Sequence, residues 1–69
     1  MKILTKEQAL HAYNTLTTTE QTEVTFDRKR SPCYEVREHP NGSIVVDDAQ
    51  DEWEKYTCID SFAKAYGLI

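Results

Sequence analysis

The 69-residue chain has little of what catalytic or anchored proteins commonly carry: two cysteines, two glycines, two prolines, one tryptophan and one methionine. No glycine-rich phosphate loop is present. No apolar run comes near the 18 residues that would suggest a membrane span. The start of the chain, with Lys2, a brief Ile3-Leu4 pair and then Thr5-Lys6-Glu7-Gln8, is not patterned as a signal peptide. A cytoplasmic location without membrane contact is therefore expected, with Cys33 and Cys58 reduced. Asn41-Gly42-Ser43 matches a glycosylation sequon but reads as a turn. Positive charge is also in deficit. Eight Lys and Arg face twelve Asp and Glu, a net charge of −4. Nucleic-acid binders need clustered cations to displace counterions, so direct phosphate binding is disfavoured. A partner that itself binds nucleic acid is not.

Charged residues at 29% and apolar residues at 39% match a folded domain rather than a disordered tail. Residues 1–69 form a single small domain. At this length only roughly 60% of the unfolded surface is buried, so the core is marginal and deep clefts are hard to build. Such a body acts with its surface, and an enzyme is not expected.

Thr5 is a good N-cap, and Gln8 three residues later completes a capping box. Ala9, Ala12, Tyr13 and Leu16 follow at helical spacing, with Leu4 placed to pack back on Ala9. Thr15 to Thr22, with five threonines, reads as a loop. Thr22 to Asp27 alternates as a strand, with Val24 and Phe26 on one face. Arg28-Lys29-Arg30-Ser31-Pro32 is a polar turn, and Cys33 to His39 alternates again around Tyr34 and Val36. Parity decides the next loop. A two-residue Asn41-Gly42 turn would put Val36 opposite Asp47, whereas Pro40-Asn41-Gly42 sets Val36 against Val46 and Glu38 against Ile44. Proline suits the first loop position and glycine the left-handed one, so the three-residue loop is expected.

Asp48 to Tyr56 reads as a helix with Ala49, Trp53 and Tyr56 on one side. Trp53 to Cys58 could equally be a strand, since Trp, Tyr and Thr suit a pleated surface. From Ile59 the period is helical through Phe62, Ala63 and Tyr66, with Thr57 and Asp60 offering a cap and Gly67-Leu68 a stop. The expected fold is α+β, a two-layer α-β-β-β-α sandwich. Its three-stranded antiparallel sheet is covered on one face by helices contributing Leu10, Tyr13, Leu16, Phe62 and Tyr66.

His11, Cys33, His39 and Cys58 are the right inventory for zinc, but no ligand pair has the spacing of a zinc site. Cys58 reads instead as a small apolar packing group. No Cys-His nucleophile pair is expected of Cys33 and His39. A calcium loop lacks its central glycine. No cofactor is expected.

The charge pattern is more telling. Glu35, Glu38, Asp47, Asp48, Asp51, Glu52 and Glu54 face one cation, Arg37, between residues 35 and 54. The plain reading of the denser part is a solvated acidic helix start, favoured by the helix dipole. The sharper one is a partner-binding surface made of these seven carboxylates with Trp53 as anchor, steering association with a basic protein. In size, acidity and element order the chain resembles the small acidic phage-encoded anti-defence proteins of the anti-CRISPR type. That resemblance is architectural and rests on no residue motif. It implies a non-enzymatic inhibitor in a host cytoplasm, mimicking nucleic acid against a basic protein or nucleoprotein complex. The alternative from a different class is an assembly module, a homodimer pairing through the exposed edge of the sheet.

Overall fold

A computed structural model describes residues 3–26, 34–48 and 52–69. The expected Arg28–Pro32 turn, Cys33, Ala49 and Asp51 lie outside the described residues. Six elements follow in order: α1 (Lys6–Thr18), β1 (Glu23–Phe26), β2 (Tyr34–Glu38), β3 (Ile44–Asp47), β4 (Trp53–Tyr56) and α2 (Ile59–Ala65). The class is α+β, as the sequence implies, but the sheet has four strands rather than three, antiparallel and in chain order β1-β2-β3-β4. Trp53 to Tyr56 is strand, not the helix favoured above. Pairing with β3 sets Asp47 opposite Trp53 and Ile44 opposite Tyr56.

α1 begins as its residues dictate. The Gln8 amide donates to Thr5 Oγ1 at 3.1 Å, and the Thr5 amide donates to Gln8 Oε1 at 3.0 Å. Both otherwise unpaired donors are thereby satisfied. The helix runs further than expected, because its threonines stay inside it. Thr17 and Thr18 donate their hydroxyls to the carbonyls of Tyr13 and Asn14, at 2.7 and 2.5 Å, and Thr19 caps the end with a bond to Thr15 O at 2.6 Å. A hydroxyl that bonds back along the helix competes less with it than one seeking a turn.

The β2–β3 connection has the three-residue loop that parity required. Val36 pairs with Val46 and Glu38 with Ile44, His39 N donates to Ser43 O at 2.9 Å, and Gly42 takes φ +91°. At the other end of the chain, α2 stops in a Schellman arrangement. Leu68 N reaches Ala63 O and Gly67 N reaches Lys64 O, with Gly67 at φ +71°. The N-cap of α2 is Cys58 rather than Thr57, and it makes no side-chain capping bond.

Helices cover one sheet face. The core comprises Leu4, Ala9, Ala12, Leu16, Val24, Val36, Ile44, Val46, Phe62 and Tyr66, with Tyr13, Phe26, Tyr34 and Tyr56 packed against it. Phe62, Ile44, Val36 and Val46 are the largest side chains fully removed from solvent. Leu10 does not join them: it is 46% exposed, on the outer side of α1. Ala9, Ala12 and Leu16 supply the inward stripe, and Leu10 falls outside that arc. No helix among the described residues is long and apolar enough to cross a membrane.

Candidate interaction surface

Successive side chains of a strand point to opposite faces, so the register divides the acidic stretch residue by residue. The helix-covered face carries Val24, Val36, Val46 and Glu54 in one cross-strand row, and Glu38, Ile44 and Tyr56 in another. The open face carries Thr25, Glu35, Asp47 and Trp53 in one row, and Glu23, Arg37, Val45 and Lys55 in the next. The eight residues of the sequence-derived surface thus part ways. Glu35, Asp47 and Trp53 come together on the open face, and Asp48 and Glu52 sit beside them at the β3–β4 connection. There Asp48 N donates to Glu52 O at 3.2 Å, and Glu52 N donates to Asp48 Oδ1 at 3.3 Å. Glu38 and Glu54 turn to the other side of the sheet. Asp51 lies outside the described residues.

Glu54 has a structural task. Its Oε1 accepts from Tyr66 Oη at 2.6 Å and from Tyr56 Oη at 3.0 Å. The Tyr66 hydroxyl oxygen in turn accepts the Leu4 amide at 3.3 Å. Burial first, and the bond to Glu54 second, push the Tyr56 hydroxyl up to about 12 and raise that of Tyr66 in the same direction. β4, α2 and the residue before the α1 cap are tied together through one carboxylate. Glu38, at the far end of β2, lines a separate shallow groove with Thr22, His39, Pro40 and Gly42.

The open face is mixed in charge. Arg37 Nη2 pairs with Glu35 Oε2 at 2.8 Å, and Arg37 Nε lies 3.5 Å from Glu23 Oε2. Three carboxylates (Glu23, Glu35, Asp47) and two cations (Arg37, Lys55) leave the two rows at a formal −1. Trp53 stands out among them, 64% exposed. It forms one wall of a shallow groove whose other sides are His39, Pro40, Asn41, Ser43, Val45 and Lys55. The groove runs diagonally across the sheet from Trp53 over Val45 to His39. An indole left largely in water beside a proline and a valine is the kind of anchor found at protein interfaces.

Among the described residues no group of three or more His, Cys, Asp or Glu side chains is placed to hold a metal ion. Cys58 is exposed instead of packing as an apolar group. Its Sγ lies 3.4 Å from Ser61 Oγ, and hydrogen bonding to Ser61 lowers the thiol below its ordinary value. Sequence periodicity missed the groove, because its walls come from the β2–β3 loop and from a strand read as helix. No protein-family model, curated protein or solved structure matches the chain.

Proposed function

We propose that the protein is a non-enzymatic interaction module that docks a protein partner on the open face of its sheet, with Trp53 as the anchor. The exposure of Trp53 beside the groove carries this reading. A large indole contributes most when a partner removes it from water, and the helices leave this face uncovered. Glu35, Asp47, Asp48 and Glu52 give the adjoining end its sign, which suits a basic surface such as that of a nucleic-acid-binding protein. Inhibition by occupying such a surface is the biological form suggested by the resemblance to anti-CRISPR-type proteins. Glu38 and Glu54 turn to the other face of the sheet, which narrows the carboxylates available on this face for that mimicry.

Site-specific photo-crosslinking in the cells that make the protein tests the reading. A photoreactive phenylalanine replaces Trp53 in one variant and Leu10, exposed on α1, in another. Light-dependent adducts are expected from position 53 and not from position 10. Adducts at neither position, or equally at both, would discard the open face as a docking surface.

A further inference from the structure

β4 is the last strand of the sheet, and no described strand lies beyond it. Opposed residues of an antiparallel pair alternate between those that exchange backbone hydrogen bonds and those that do not. Three bonds set that alternation across the sheet. Glu38 N donates to Thr22 O at 2.8 Å, His39 N to Ser43 O at 2.9 Å, and Asp48 N to Glu52 O at 3.2 Å. Counted from the last of these, Val46–Glu54 and Ile44–Tyr56 are bonded pairs, whereas Asp47–Trp53 and Val45–Lys55 are not. Trp53 and Lys55 therefore aim their amides and carbonyls away from β3, toward the open edge. Among the described residues none of these four groups has a partner. The same two residues place their side chains on the open face.

We infer that this edge accepts an extended segment of a partner protein as a fifth, antiparallel strand. The inference rests on the reading above, in which Trp53 anchors a protein partner, and adds how that partner binds. Unpaired edge groups are matched by an extended backbone, and two peptide residues opposite Trp53 and Lys55 exchange four hydrogen bonds with them. Their side chains emerge on the open face, beside the indole and the ammonium. An apolar residue fits against Trp53, and a carboxylate two places earlier in the segment fits against Lys55. The residue between them lies opposite Glu54, whose charge disfavours a second carboxylate there. Past Trp53 the segment runs toward Glu52, where a basic side chain fits. The segment thus reads acidic, neutral, apolar, basic.

A second copy of the chain does not meet these demands. Antiparallel pairing of β4 with its own copy has registers centred on Trp53, Glu54 or Lys55. The first sets Glu52 of each copy against Glu54 of the other, the second Glu54 against its own copy, and the third Lys55 against its own copy. Like charges directly opposite are destabilising in each. The other edge is less suited. By the same count β1 turns the backbone groups of Glu23 and Thr25 outward, with no apolar anchor, and Glu23 is already paired with Arg37.

The probe is a capped peptide, Thr-Thr-Asp-Thr-Val-Arg-Thr, titrated into the full chain, with an expected Kd of about 10–500 µM for so short a strand. Trp53 is the only tryptophan, so its emission reads binding. Amide hydrogen exchange by NMR reads the mode: the Trp53 and Lys55 amides should slow at least about tenfold at saturation. Methylating the peptide's valine nitrogen, which faces β4, should weaken binding at least about tenfold. Methylating the threonine nitrogen between aspartate and valine, which faces away, should change it by less than about threefold. Lys55→Glu should weaken binding at least about tenfold, and a peptide with lysine in place of aspartate should restore it to within about threefold. Far-UV circular dichroism checks the fold, and Lys55→Gln replaces a variant that does not fold, with a smaller expected loss. Equal effects of the two methylations, or no binding up to about 2 mM peptide, overturn the inference. So does a dimer in sedimentation velocity that the peptide does not dissociate, which assigns the edge to a second copy. If position 53 crosslinks to a partner in cells while the peptide does not bind, the docking face stands and the strand addition falls. If neither occurs, both fall.

Discussion

Glu54 shows how one residue's role turns on which face its strand presents. Three bonded groups converge on it and its neighbour Tyr66: the hydroxyls of Tyr56 and Tyr66 on the carboxylate, and the Leu4 amide on Tyr66. Glu54→Ala removes the shared acceptor from the buried Tyr66 phenol and the half-buried Tyr56 phenol and should cost about 1–3 kcal/mol, with Glu54→Gln losing less because an acceptor oxygen remains. Urea denaturation followed by circular dichroism measures both. The tyrosines add a pH signature whose sign is fixed. Their folded values lie above the ordinary value of about 10, so between about pH 10 and about pH 12 the unfolded chain loses protons that the native chain keeps. Stability is full below that window and falls as pH rises through it. The fall should be shallower in Glu54→Gln, where the negative charge opposing phenolate formation is gone. An equally steep fall in that variant would disconnect Glu54 from the effect.

At the scale of elements, the start of α1, the end of α2 and the β2–β3 hairpin were legible because each depends on a few neighbouring residues. The capping box of α1 needs only Thr5 and Gln8, and Thr5→Ala should cost about 1 kcal/mol. Gly67 holds φ +71° at the end of α2, where a side chain is strained whatever space surrounds it. Gly67→Ala should cost about 1 kcal/mol too, a lowered thermal midpoint being the measurement for both variants. β4 was harder to read for a physical reason. Alternation in Trp53-Glu54-Lys55-Tyr56 puts a tryptophan outward and a glutamate inward, the reverse of the usual pattern, so hydrophobic periodicity could not identify the strand. The threonine-rich segment misled in a similar way. Its hydroxyls bond to carbonyls of the preceding turn and lengthen α1 where a loop was expected.

For the whole molecule, a chain of this length has a stability of about 3–10 kcal/mol, and its core has few large members. Phe62 is fully buried and packs against the rings of Tyr56, in a T-shaped pair, and Tyr66, in a tilted one, with centroids 5.7 and 5.1 Å apart. Phe62→Ala should cost about 3–5 kcal/mol and reduce or abolish the cooperative melting transition, whereas Trp53→Ala on the open face should change stability within about 0.5 kcal/mol. Calorimetry separates the two. The sequence by itself determined the class, the N-cap of α1, the stop of α2, the hairpin register and most of the apolar face, because these follow from local bonding and from strict periodicity. Only the tertiary structure decided where the acidic stretch points. A carboxylate's position depends on strand pairing between residues far apart in the chain, and a shift of one place sends it to the opposite face. That pairing drew Glu38 and Glu54 toward the helices, left Trp53 in water and set Asp47 diagonally across from Lys55.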